Sequence, residues 1–151
     1  MSKYRSILAL ALALVMTLFI AFSAPAQAKS KAKPKTYTAE QIETIQTYAA
    51  DIMAMRDRFS ELEGLIEAEN WVFVRNFIHG PLGDLRFKMS GIARELFPES
   101  QKRARDLTRD VFKAVNAIDQ AAADKNYRAA KAAYKKLNQE LAEFFDLFVA
   151  T

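Results

Sequence analysis

From Tyr127 to Phe148 the apolar residues recur at Tyr127, Ala130, Tyr134, Leu137, Leu141, Phe144 and Phe148, a strict alternation of three- and four-residue steps. That spacing lays one stripe along one face of an α-helix, whereas a strand would need a period of two. The stripe has to be covered, because each Leu, Ile or Phe taken out of water contributes roughly 1.5–3 kcal/mol. A second stripe stands just before it: Ala104, Leu107, Val111, Val115 with Ala114 beside it, Ile118 and Ala122. Only Asp124-Lys125-Asn126 separates the two, with Asn126 as the expected cap of the later helix. A connection this short predicts antiparallel neighbours.

The first half of the domain repeats the pattern with more punctuation. Thr38 and Gln41 have the spacing of a capping box, in which the hydroxyl and the side-chain amide each serve the other residue's backbone N–H. Behind it run Ile42, Ile45, Ala49, Ile52, Met55, Phe59, Leu62 and Ile66. Asn70 is a good helix start, and Trp71, Val74, Phe77, Ile78, Leu82, Leu85, Met89, Ile92 and Leu96 follow at helical spacing. Gly80-Pro81 interrupts this second stripe. Proline lacks the backbone donor and crowds the carbonyl four residues earlier, here that of Phe77. Because the periodicity continues past it, the pattern predicts one kinked helix, and Pro98 ends that element or opens the next. The expected fold is an all-α, up-down-up-down four-helix bundle over residues 38–151, with helices near 39–68, 71–96, 99–124 and 127–149.

The start of the chain is different in kind. Lys3 and Arg5 precede an uncharged, strongly apolar run of 16 residues from Ile7 to Phe22, and Ser23-Ala24-Pro25-Ala26-Gln27-Ala28 then places small residues at −3 and −1 of a cut after Ala28. This is a secretory signal peptide pattern over residues 1–28, and the run is shorter than the roughly 20 residues a spanning helix needs. The absence of an Arg-Arg pair favours the general secretory route. Residues 29–37 follow as a basic tether. Its four lysines either stay solvated or touch an acidic membrane surface or partner face. The formal charge of +4 comes from these ends: from Thr36 onward 16 Lys and Arg face 18 Asp and Glu, so nucleic acid is not an expected partner.

Little chemistry is on offer. With no cysteine there is no disulfide, thiolate metal site or c-type haem attachment. A single histidine excludes the paired Glu-x-x-His motifs of di-iron bundles. Zinc at His79 would need carboxylates, and Asp84, five residues on, is poorly placed on a regular helix. There is no phosphate loop or nucleophile elbow, so no catalytic residue, cofactor, metal or small-molecule substrate is expected. The third helix carries Lys102, Arg103, Arg105, Arg109 and Lys113, with Asp106 and Asp110 at pairing distance along the helix. That face is either solvated or a docking patch.

The stretch from Asn70 to Met89 carries what remains, including the only Trp and the only His. His79 either bonds a backbone carbonyl freed by Pro81 or belongs to an exposed knuckle that docks on a partner. Trp71 either caps one end of the bundle or anchors an interface.

Trp71, the string Ile78-His79-Gly80-Pro81-Leu82-Gly83, Leu85-Arg86 and Met89 resemble the signature of the cyanobacterial PsbQ-like proteins (the CyanoQ family), extrinsic subunits of photosystem II. The resemblance extends from about Tyr37 to Val149 and takes in Tyr37-Thr-Ala-Glu-Gln-Ile42 and Val111-Phe112. It implies a non-catalytic bundle that binds the photosystem II core and other extrinsic subunits and supports the oxygen-evolving complex. The implied place is the thylakoid lumen, peripheral on the membrane. Trp71, Ile78, His79, Gly80, Pro81 and Arg86 become the expected partner-binding residues, with Arg86 offering a bidentate contact to a partner carboxylate. The chain departs from the family in one respect. Members usually carry a lipidated cysteine after the leader, whereas Phe19 to Ala24 has none, so no lipid anchor of that kind is expected. The alternative from a different class is an exported helical-bundle chaperone or stress protein of the periplasm. It would share the leader and bundle without calling for His-Gly-Pro in a helix.

Overall fold

The computed structural model describes residues 36–149. The expected leader (1–28) and nearly all of the tether (29–37) lie outside the described residues. Six helices follow in order: α1 Ala39–Asp57, α2 Phe59–Glu67, α3 Trp71–His79, α4 Leu85–Glu95, α5 Pro98–Ala123 and α6 Tyr127–Val149. No strand occurs among the described residues, and no helix there is long and apolar enough to cross a membrane.

The six helices make four rods: α1 with α2, α3 with α4, then α5 and α6. The packing pairs are α1 on α4, α2 on α3, both α3 and α4 on α5, α5 on α6, and α6 back on α2. Along the seams residue numbers run in opposite senses. Gln41 meets Glu95 and Asp51 meets Lys88; Arg75 meets Asp119 and Arg86 meets Phe112; Glu67 meets Lys131 and Phe59 meets Tyr134. The stripes converge on one core. Ile52, Leu62, Val74, Met89, Ile92, Leu107, Ile118, Leu137, Leu141 and Phe144 are wholly buried in it. The buried Thr108 hydroxyl donates to the Ala104 carbonyl at 2.8 Å, and among the described residues no buried side-chain polar atom lacks a partner.

The capping box at Thr38 and Gln41 forms in both directions, and Pro98 takes the first turn of α5, where its missing donor costs nothing. The two tight corners share one motif. Asn70 N–H donates to Leu65 C=O at 2.9 Å, and Asn126 N–H to Ala121 C=O at 2.8 Å, each across a left-handed residue, Glu69 (φ 50°) or Lys125 (φ 53°). Their asparagines differ. Asn126 Oδ1 accepts from the Ala129 N–H at 3.0 Å, but the Asn70 side chain makes no capping bond. At ψ 71° the Asn70 backbone falls short of the extended form from which a side chain reaches back.

Three expectations are corrected. The first rod is not one helix over 39–68: it breaks at Arg58, where ψ is 1° and the N–H turns to the Met55 carbonyl. The second is two helices, not one kinked helix. After the Gly80 N–H bonds Asn76 C=O, the chain turns through Gly80 to Asp84 before α4 begins. Pro81 cannot serve the Phe77 carbonyl, so the Leu82 N–H does, at 3.3 Å and one residue late. Ile42 and Tyr127, expected in the inward stripes, are 42% and 38% exposed, each on the wall of an open groove, Ile42 beside Tyr37 and Phe148 and Tyr127 beside Lys131 and Tyr134.

Candidate functional site

Two interruptions meet side by side in the first two rods. The Arg58 guanidinium, at the break between α1 and α2, lies 5.2 Å from the centre of the Phe77 ring and is held by Glu61 at 2.8 Å. Phe77 is the residue whose carbonyl the Pro81 turn disturbs. Arg58, Glu61, Leu65, Phe73, Asn76 and Pro81 bound a shallow depression of about 210 Å³ there.

Gly80 is required at the turn by close approach. A Cβ on it would sit 2.9 Å from the Asn76 carbonyl oxygen, a backbone atom with nowhere to go. Proline and glycine together therefore make a stiff outward corner from local sequence alone.

The structure places the six expected binding residues as follows. His79 is exposed and its Nε2 lies 2.9 Å from Asp119 Oδ1 on α5, an oxygen that Arg75 Nε also reaches at 3.2 Å. The His79 ring thus bonds neither a carbonyl freed by Pro81 nor Asp84. Gly80 is exposed and Pro81 half-buried. Arg86 is exposed, with its guanidinium 4.5 Å from the Phe112 ring centre, a stack that holds the fork side-on to α5. Ile78 is buried, so its side chain belongs to the core and only its backbone reaches the corner. Trp71 is half-buried against the core at the far end of α3. Eight residues of helix, about 12 Å, separate it from His79, so the six do not form one patch. His79 and Arg86 face the α5 side, and Pro81 faces α2.

Sequence reasoning missed the most exposed apolar residues. Phe73 is 57% exposed, Val72 68% and Phe87 59%. Phe87 meets Tyr48 edge-on at 6.0 Å, next to the Lys88–Asp51 pair. The hydrogen bond to Asp51, above all, raises the Lys88 pKa from its usual value. The available signal was their position: all three are apolar yet lie off the inward stripe. Asp119, the partner of His79, gave no local signal at all.

Among the described residues no three or more His, Asp or Glu side chains gather in a way that could hold a metal ion. The ionic surface of α5 is a ladder instead. Lys102 and Arg109 hold Asp106 at 2.8 and 2.9 Å, Lys113 holds Asp110 at 3.1 Å, and Arg103 reaches Glu143 on α6. The bond from Lys102 is the main cause of a lowered Asp106 pKa, and that from Lys113 of a lowered Asp110 pKa.

Fold and surface together define an all-α bundle protein with a satisfied interior and its irregular backbone and surplus apolar side chains turned outward. The family model of PsbQ, described as oxygen evolving enhancer protein 3, matches residues 3–148. CyanoQ of Synechocystis sp. is 39% identical over 113 residues, covering 74% of this chain and 76% of the relative. The chain belongs to the PsbQ family, as a cyanobacterial PsbQ-like member.

Proposed function

We propose that this protein is an extrinsic, non-catalytic subunit that binds the lumenal side of photosystem II and stabilises its oxygen-evolving complex. The observation that carries the reading is the family match along nearly the whole chain, a range that spans Trp71 to Met89. The geometry supports it. Exposed Phe73, which bounds one depression with Pro81 at the stiff backbone corner, is the apolar contact a docking surface needs.

In this reading the corner formed by His79, Gly80 and Pro81 gives the surface its shape, and Arg86 offers its fork to a partner carboxylate. Phe73 supplies apolar contact at the edge. The partners are the photosystem II core and its other extrinsic subunits, and attachment is peripheral, without a lipid anchor. The basic segment at Lys29 to Lys35 adds attraction to an acidic surface that salt would weaken.

Cell fractionation tests the reading. The protein should follow thylakoids, co-purify with photosystem II and leave it on a salt wash. Adding it back should restore whatever oxygen evolution the wash removed. Recovery with soluble periplasmic proteins, and no binding to washed photosystem II, would overturn the proposal in favour of an exported chaperone or stress protein.

A further inference from the structure

The fourth rod packs on the first along α2. There Glu63 of α2 and seven residues of α6 between Tyr127 and Asn138 line a groove of about 560 Å³. That size falls within the roughly 300–1,000 Å³ of pockets that hold small molecules, ample for one large side chain. We propose that this groove seats an acidic segment of a protein partner, with one apolar or aromatic side chain lodged between Tyr127 and Tyr134.

Sequence makes the groove. On α6, Tyr127, Lys131, Tyr134 and Asn138 fall on one stripe, and Arg128, Ala132 and Lys135 on the next. The Ala132 methyl is too short to fill the space between its larger neighbours. The Tyr134 wall is fixed: its hydroxyl donates to the Phe59 carbonyl at 3.1 Å and lies 3.4 Å from Glu63 Oε2. Burial raises the Tyr134 pKa, so the phenol stays a neutral donor. Lys131 is held across the seam by Glu67 at 2.9 Å, with Tyr127 Oη at 3.4 Å.

Charge selects the occupant. Glu67 is taken by Lys131, and Glu63 is the one carboxylate lining the groove. Arg128 and Lys135 stand exposed at the mouth with no ion pair among the described residues. Two open cations above apolar walls suit carboxylates that flank an apolar side chain. A flat anionic bilayer would reach the cations but not the walls, so a protein segment fits better than a membrane. The inference does not depend on which complex supplies that segment.

The test uses the whole chain and a fluorescein-labelled peptide of alternating Glu with Leu and Phe, read by fluorescence anisotropy. A control peptide carries Ser in place of Leu and Phe. The wild type should bind the first at least ten-fold more tightly than the second. Ala132→Trp, which fills an exposed gap, and the pair Arg128→Glu with Lys135→Glu should each weaken binding at least ten-fold. Tyr127→Ser, which removes one wall, should weaken it as well. Circular dichroism checks that each variant is folded, and the two independent routes to the groove keep the test decisive if one is not. Unchanged binding by Ala132→Trp and Tyr127→Ser, or equal affinity for both peptides, would overturn the proposal. So would binding to phosphatidylglycerol vesicles that the charge reversals abolish and Ala132→Trp leaves intact, alongside no peptide binding. Co-purification of the wild type with photosystem II is scored separately: its failure would refute the proposed function while a positive peptide result left the groove standing.

Discussion

The hairpin of α5 and α6 and the hairpin of α1 to α4 have similar lengths and opposite characters. The later one is two unbroken helices of 26 and 23 residues, joined by three residues and laced by ion pairs along α5. The earlier one is broken twice, and it holds all four glycines of the chain together with Pro81. Among the described residues it also carries five of the six large apolar side chains that are exposed, Ile42, Met53, Val72, Phe73 and Phe87, while Tyr127 alone is on the straight half. In the proposed reading the broken hairpin presents the Gly80-Pro81 corner and most of the exposed apolar side chains, while the straight one serves as their frame and adds the groove along α6. Regular backbone is cheap and anonymous, whereas a corner such as Gly80-Pro81 interrupts helical hydrogen bonding and creates a shape a partner can recognise.

If that division holds, core substitutions in the frame have the largest effects. Leu141→Ala, which empties part of the strictest stripe, should cost about 2–5 kcal/mol in urea unfolding. Ile42→Ala, half out in water on the other hairpin, should cost about 0.5 kcal/mol. Equal costs would break the comparison at its base.

Next comes the close seam inside the broken hairpin. A Cβ on Gly91 would approach Tyr48 Cε2 to 2.3 Å, so α1 and α4 pack through a position that admits no side chain. Gly91→Ala should cost about 1–3 kcal/mol by displacing the Tyr48 ring. Near-UV circular dichroism should report the shifted tyrosine. A stabilised variant with an unmoved ring would show that the seam has slack.

Acid should loosen the frame. Asp106 and Asp110 have pKa values held below the unfolded 3.8 by lysine hydrogen bonds. Groups lowered in this way add stability that is present above the unfolded pKa and lost as pH falls through the folded one. The midpoint of thermal unfolding should therefore fall as pH drops below about 3.8. In the double variant Asp106→Asn with Asp110→Asn that fall should be shallower. Identical profiles would mean the ladder contributes nothing.

The smallest effect is a gain. Glu69 and Lys125 hold the same left-handed position at the two corners, where glycine is more comfortable. Lys125→Gly should raise stability by about 0.5–1 kcal/mol. Glu69→Gly should gain about as much if the corners are equivalent in energy as well as in geometry. A gain at one alone would mark where the shared motif stops being shared.

The two halves were not equally legible in the sequence. Stripes at three and four residues are local, so Ala104 to Ala122 and Tyr127 to Phe148 announced both helices and their pairing. Gly80-Pro81 announced where the second rod is disturbed but not how far. When the Leu82 N–H replaces the missing Pro81 donor one residue late, the inward stripe resumes in phase. Periodicity then cannot tell one kinked helix from two. Arg58 breaks the first rod with no glycine or proline to mark it. At the site, the corner residues were readable, but the bond from His79 to Asp119 joins residues forty positions apart. No spacing rule reaches that far. Phe73 and Phe87 were readable in principle, since apolar residues off the stripe must face water or a partner. Asn70 and Asn126 looked equivalent, and only backbone angle separated the one that caps from the one that does not.

The most direct test of a presenting face on a straight frame is photo-cross-linking within cells. A benzophenone side chain is placed at position 73, on the broken hairpin, or at position 113, on the outward side of α5. The account predicts adducts between position 73 and photosystem II subunits, with far fewer from position 113. Adducts from position 113 alone, or none with photosystem II from position 73, would contradict it.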